Sequence, residues 1–237
     1  MAPNMDIEIP TYLRAIFPNS LTPVMFHLGQ LDQELRFTVT VDAFSSRSPL
    51  LVLHAGSTVR GPVLASVSKP APYKGTYRNI VKIQSPISNT GAIEVSLTTP
   101  IDDGMHVRYN FSLAIGSRHE KFEWRATRGS EVHVAFRNAK GFKLVRLGSE
   151  GPGGGQGGSR ATRAVGETSD GKEVVAVWAT EKSLLPAAFV PNCRPFKFEL
   201  LGSGKALGQE FACLALTTAL RVWSSEAQAV PNLTFDI

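Results

Sequence analysis

GQEFACLALTTALRVW, from Gly208 to Trp223, is apolar on every side. Phe211, Leu214, Leu216, Leu220, Val222 and Trp223 supply large side chains, while Ala212, Ala215 and Ala219 leave room for neighbours to approach. The ends suit a helix. Gly208 precedes it, Glu210 lies in the first turn where the backbone dipole favours an acid, and Arg221 lies in the last, where it favours a cation. A helix without a polar face must be enclosed by other elements or sit in a membrane. The 13 residues from Phe211 to Trp223 span roughly 20 Å, short of a hydrocarbon core of about 30 Å. Thr217, Thr218 and Arg221 interrupt the apolar surface as well. The stretch therefore predicts an enclosed helix at about 208–224 and no transmembrane segment. Full burial of its large side chains contributes on the order of 10–15 kcal/mol, comparable to the net stability of a whole domain.

What precedes the helix alternates with period two, the spacing of strands with one buried face. Leu35, Phe37, Val39 and Val41 alternate with Arg36, Thr38, Thr40 and Asp42. The same pattern runs through residues 93–97, 107–115, 121–127, 142–147, 174–178 and 196–200, and shorter apolar runs at 50–53, 63–67 and 80–83 fit further strands. Asp102-Asp103-Gly104 and Ser169-Asp170-Gly171-Lys172 read as hairpin turns. About ten strands with no helical pattern between them predict an antiparallel β fold rather than βαβ units. Residues 1–30, punctuated by Pro3, Pro10, Pro18 and Pro23, read as an irregular lead-in to a single β-barrel domain over 31–225. GPGGGQGGS at 151–159 reads as a flexible loop spanning 150–160, and 226–237 as a C-terminal tail.

Composition bounds the function. A chain of 237 residues with 43% hydrophobic and 19% charged residues can build a sizeable core and is not disordered. The formal net charge is +5, and the segment 118–146 accounts for it, with eight basic residues against Glu120, Glu123 and Glu131. That excess favours anionic partners. Two cysteines, Cys193 and Cys213, are too few for a disulfide framework or a zinc site, and Cys213 falls inside the apolar helix as a small hydrophobe. MAPNMDIEIPTYLRAIF has no basic region leading into an apolar core, so no signal peptide is expected. The sequons at Asn110 and Asn232 are then chance matches, and a cytoplasmic location fits.

Catalytic motifs are missing. Gly202-Ser203-Gly204-Lys205 resembles the end of a phosphate loop, but Glu199 stands where its first glycine belongs and Ala206 replaces the magnesium-binding hydroxyl. A turn feeding the helix is the better reading. The glycine-rich insert lacks the strand–helix context of a dinucleotide site, and Gly157-Gly158-Ser159-Arg160-Ala161 fails as a nucleophile elbow. His27, His54, His106, His119 and His133 show no metal-ligand spacing, and adjacent Asp102 and Asp103 point apart in an extended chain. No cofactor, metal or catalytic residue is predicted, and the chain does not read as an enzyme.

An alternating β domain closed by one hydrophobic helix resembles the tubby C-terminal-like superfamily, which includes tubby, the LURP-one-related proteins and the phospholipid scramblases. Uncharacterised fungal proteins with such domains are the most alike. The resemblance rests on Phe122-Glu123-Trp124-Arg125, Gly141-Phe142-Lys143-Leu144-Val145-Arg146, Val175-Ala176-Val177-Trp178 and the terminal helix, and it covers roughly residues 49–225. It implies a closed antiparallel β-barrel of about twelve strands around a central hydrophobic helix. A helix in the lumen would fill the barrel and remove the sheet edges. Tubby-type domains bind phosphoinositides through a basic pocket, but no motif here aligns with that pocket residue by residue. The scramblase cysteine cluster and acidic calcium loop are absent.

The leading functional expectation is a non-enzymatic domain that meets anionic phospholipid headgroups at a cytosolic membrane surface. Lys121, Arg125 and Lys143 fall on the polar face of their strands, with Lys140 and Arg146 nearby, and each cation gains about 1 kcal/mol beside an anionic bilayer. The alternative is a protein-interaction or scaffold module on the same barrel. A carrier of small apolar ligands would need an empty lumen. Nucleic-acid binding is disfavoured because Phe122 and Trp124 face away from Lys121 and Arg125.

Overall fold

The computed structural model describes residues 7–17, 25–30, 34–42, 49–84, 87–88, 91–100, 107–133, 139–159, 162–181 and 195–227. Among them the alternating runs pair into one antiparallel sheet. In chain order its strands are β1 (Tyr12–Ile16), β2 (Met25–Gly29), β3 (Phe37–Val41), β4 (Leu51–Ala55), β5 (Val63–Val67), β6 (Ala71–Tyr73) and β7 (Thr76–Ile83). There follow β8 (Ile93–Pro100), β9 (Arg108–Ile115), β10 (Arg118–Thr127), β11 (Ala139–Glu150), β12 (Lys172–Glu181) and β13 (Lys197–Leu200). The order is β5-β4-β3-β2-β1-β13-β12-β11-β10-β9-β8-β7, and a further β5–β7 pairing closes these twelve strands into a barrel. Only β6 stands outside the ring, as a hairpin arm on the first residues of β7.

The apolar stretch is helix α2 (Gln209–Ala227), packed inside this barrel. Inward rows of the wall meet it from all sides. The Phe122 ring lies 5.0 Å from Phe211, and the rings of Phe26 and Phe196 lie 5.4 and 5.5 Å from Trp223. Three hydroxyls are buried with the helix and each finds a partner, Ser224 Oγ donating to the Arg221 carbonyl at 2.9 Å. Thr218 Oγ1 donates to the Leu214 carbonyl (2.8 Å) and accepts the Trp124 indole N–H (3.0 Å), while Thr217 sits beside Cys213. Burial pushes the Cys213 thiol up to about 12, which leaves it protonated and inert at neutral pH.

Three expectations need correction. Residues 1–30 are not an irregular lead-in, because β1 and β2 lie within them and belong to the barrel. Pro10 precedes β1, where a missing N–H costs no ladder bond. β1 pairs with β13 on one side and β2 on the other, and the Ile9 N–H donates to Gln209 Oε1 at 2.7 Å, so this segment completes the wall. Second, α2 continues to Ala227, so Arg221 lies a full turn before its end and its guanidinium bonds Ser225 Oγ at 2.8 Å. Third, the glycine-rich stretch is bonded into a defined loop, as described below. Gly202–Ala206 is a 3-10 turn that feeds α2, as the sequence suggests. The predicted turn at Asp102-Asp103-Gly104 and the tail beyond Ala227 lie outside the described residues.

Replacing Thr218 with Val keeps the helix surface but strands the Trp124 N–H in the core, so Thr218→Val should lower the unfolding free energy by about 1–3 kcal/mol in urea titration. Ala215→Arg, which forces a cation into the fully buried face of α2, should abolish soluble expression.

Candidate functional site

The structure divides the five predicted basic residues among four places. Inward-facing positions on β10 and β11 are marked by the buried pair Trp124 and Leu144, which lie opposite each other. Lys140 and Arg146 share that inward parity but lie about 20 Å apart along β11 at strand rise. Lys140 reaches Glu226 of α2 (3.9 Å) at one mouth of the barrel. Arg146 closes the other mouth. It makes a bidentate pair with Glu120, bonds Ser203 of the 3-10 turn at 3.2 Å and approaches Glu173 at 4.0 Å. The Arg146 hydrogen bonds hold the Glu120 carboxyl below its usual range. Lys121 points outward beside Ser96, Ser112 and His119, in a groove of about 580 Å³ where β8 and β9 share one registered pair, Thr98↔Asn110.

Arg125 and Lys143 do come together. They lie opposite each other on the outer wall, and Arg108 lies opposite Arg125 on the next strand, so three cations form one transverse row. With Val107, Ala126, Thr168 and Ser169 they line a cleft of about 290 Å³. Arg125 donates from Nε to Glu123 (2.5 Å) and from Nη1 to Asp170 (2.7 Å), while Arg108 reaches the same Glu123 oxygen at 3.4 Å. Lys143 is only 8% exposed. Its ammonium lies 3.3 Å from Glu131 in the one-turn helix α1 (Ser130–His133), which packs Val132 against Val177 and Ala179 on the outer wall. Burial pushes the Lys143 ammonium below its usual range. Glu131 opposes that shift, and the positive charges of Arg163 and Arg125 add to it.

Sequence reasoning missed Arg108, though a signal existed. Ile115 and Arg118 pair across the two-residue turn Gly116-Ser117, and that register places Arg108 opposite Arg125. It also missed what braces the cleft. Glu167, nearly enclosed at 3% exposure, accepts the backbone N–H groups of Gly153 (3.0 Å) and Gly157 (2.8 Å). Gly151 N–H donates to the Gly171 carbonyl and Gly158 N–H to that of Ser169. The glycine-rich stretch is thus folded around one carboxylate and tied to the turn that carries Asp170. A Cβ on Gly153 would sit 2.2 Å from Glu167 Oε2, and one on Gly171, whose φ is +74°, would sit 1.9 Å from the Gly155 carbonyl oxygen. Three cations and the hydroxyl residues Thr168 and Ser169 line the cleft, a set of groups suited to holding an anion. Among the described residues, no three His, Cys, Asp or Glu side chains gather as metal ligands would, and no helix is long and apolar enough to cross a membrane.

No family model matches the chain, and neither the curated proteins nor the solved structures provide a relative.

Two outcomes follow from the brace. Gly171→Ala should lower the urea midpoint and open the 151–171 loop to protease, because left-handed strain and a backbone clash act together. Desolvation raises the Asp170 carboxyl, but hydrogen bonds from Arg125 and Thr168 and the Arg125 charge outweigh it and hold the group down at about 2. The folded value lies below the unfolded one, so the contact contributes fully above about pH 4 and fades as pH falls through about 2. An NMR titration of the Asp170 carboxyl should show that midpoint, and Arg125→Ala should move it up toward the ordinary carboxylate value.

Proposed function

We propose that this protein is a non-enzymatic binding domain of tubby C-terminal-like type that takes anionic phospholipid headgroups in the outer-wall cleft at a cytosolic membrane surface. The observation that supports it is the row Arg108, Arg125 and Lys143 facing one hollow of headgroup-phosphate scale. The flanking acids Glu123, Glu131 and Asp170 hold these cations in fixed geometry, and Arg163 adds positive charge close to Lys143. An entering phosphate offsets the burial, and with it the cationic repulsion, that depress the Lys143 ammonium, and it competes with Asp170 for Arg125. The predicted ligand set narrows to Arg125 and Lys143 and gains Arg108. Support for the family assignment is the barrel closed around an apolar helix, a fold-level likeness.

The second reading, a protein-interaction module, is favoured by Val165, which stands 91% exposed on the braced loop. Deleting 151–159 and comparing partner capture tests that reading.

The lipid reading is tested by flotation with phosphoinositide-containing vesicles and by calorimetric titration with soluble inositol trisphosphate. Binding should weaken with salt and fall about fivefold or more in Arg108→Ala and in Arg125→Ala. Asp170→Asn, which releases Arg125 from its internal partner, should bind more tightly than the unaltered protein. Salt-insensitive or undetectable binding of both probes would discard the reading.

A further inference from the structure

The arm formed by β6 and β7 carries a second, separate surface. Residues 43–93 contain six cations (Arg47, Arg60, Lys69, Lys74, Arg78 and Lys82) and not one Asp or Glu. Lys74 and Arg78 lie on the arm itself, Lys69 precedes its first strand, and Lys82 pairs with Glu94 further along β7. The arm turns through Lys74 and Gly75, both at positive φ (46° and 75°), as a tight two-residue hairpin requires. Its largest apolar groups are turned outward, with Tyr73 40% and Tyr77 47% exposed.

Register gives these groups their arrangement. Tyr73 lies opposite Thr76 and Pro72 opposite Tyr77, so the two tyrosines project from opposite faces of the arm. Arg78 covers one face of the Tyr73 ring, 4.1 Å from its centroid, with the Lys74 ammonium at 5.4 Å. Two rings on opposite faces, one already covered by a guanidinium, cannot stack successive bases of a nucleic-acid strand. They do suit an element that dips end-on into a bilayer interface, where tyrosine rings sit at headgroup level and lysine stems reach back to phosphate.

The arm also faces the same way as the cleft. Arg78 pairs with Thr98, Thr98 with Asn110 and Asn110 with Glu123, an outward row that ends at the carboxylate shared by Arg108 and Arg125. Arg108, Arg125 and Lys143 form the next outward row, and β7 is two strands, about 10 Å, from β9. Val107, on the cleft rim, is a further exposed apolar group at 37%.

From the acid-free cationic stretch, the outturned tyrosines and this shared wall, we infer that the β6–β7 arm is a membrane-docking hairpin that inserts Tyr73 and Tyr77 at the interface of an anionic phospholipid bilayer. The inference shares the class of partner with the proposed function but rests on different residues. Lys74 and Arg78 supply the electrostatic attraction, and the rings supply the interfacial anchorage.

The test uses the full chain and vesicles of phosphatidylcholine with or without phosphatidylserine. The unaltered protein should float only with the phosphatidylserine vesicles. Tyr73→Ala/Tyr77→Ala should lose binding on the order of tenfold and Lys74→Glu at least about fivefold, with melting temperatures unchanged because these side chains are exposed. Tyr77→Trp should gain an emission component quenched by brominated acyl chains, distinct from the buried Trp124, Trp178 and Trp223. If the tyrosine variant floats like the unaltered protein, the hairpin is not the docking element, whatever Arg108→Ala does. If it fails to float while Arg108→Ala and Arg125→Ala bind soluble inositol trisphosphate normally, the hairpin stands and the cleft reading falls. Absence of flotation by the unaltered protein, or hairpin-dependent capture of a single-stranded oligonucleotide in its place, overturns the inference.

Discussion

Helix α2 has no side that tolerates water, and the barrel is organised by that fact. Every strand that meets it has to present a row of apolar side chains, and the hydroxyls buried at Thr217 and Thr218 survive only with partners at hand. Inward-pointing charge is therefore expelled to the two mouths, where Glu120 with Arg146 and Lys140 with Glu226 meet near the rims. Arg221 stays on α2, bonded to Ser225, and the cationic row of β9, β10 and β11 is left on the outer wall. Among the described residues the outer wall is where three cations gather around one cleft, while the lumen is occupied.

The outer wall in turn acquires its chemistry from antiparallel register. Arg108, Arg125 and Lys143 are far apart in the chain and become neighbours because tight pairing of β9, β10 and β11 leaves no freedom in which residues face each other. Acids placed around them fix the side chains at the cost of part of their charge. The loop folded on Glu167 then sets Asp170 against Arg125, so an apparently featureless run of glycines contributes to electrostatics several strands away.

How much of this was legible depended on the range over which each signal acts. The helix and ten strands could be read because period and apolarity are local properties. β1 and β2 were concealed by the prolines around them, and β6, Ala-Pro-Tyr, is too short to show alternation. Polar-face placement of Lys121, Arg125 and Lys143 followed from alternation alone. Grouping Lys140 and Arg146 with them followed only from closeness in the chain, and strand parity separates them. Arg108 required pairing across a turn as well as period, and nothing in the sequence around Glu167 announces that its carboxylate would be capped by glycine amides.

The ring is sealed between its first strand and its last, with β1 lying against β13 and Ile9 bonded to Gln209, 200 positions along the chain. A nascent polypeptide emerging from the ribosome must therefore hold an open sheet, with unpaired edges and an uncovered greasy face, until β13 and α2 have been synthesised. Closure is then a late, long-range event in which hydrophobic plug and final staves arrive together. Such a molecule depends on protection during synthesis far more than its tightly packed final state suggests.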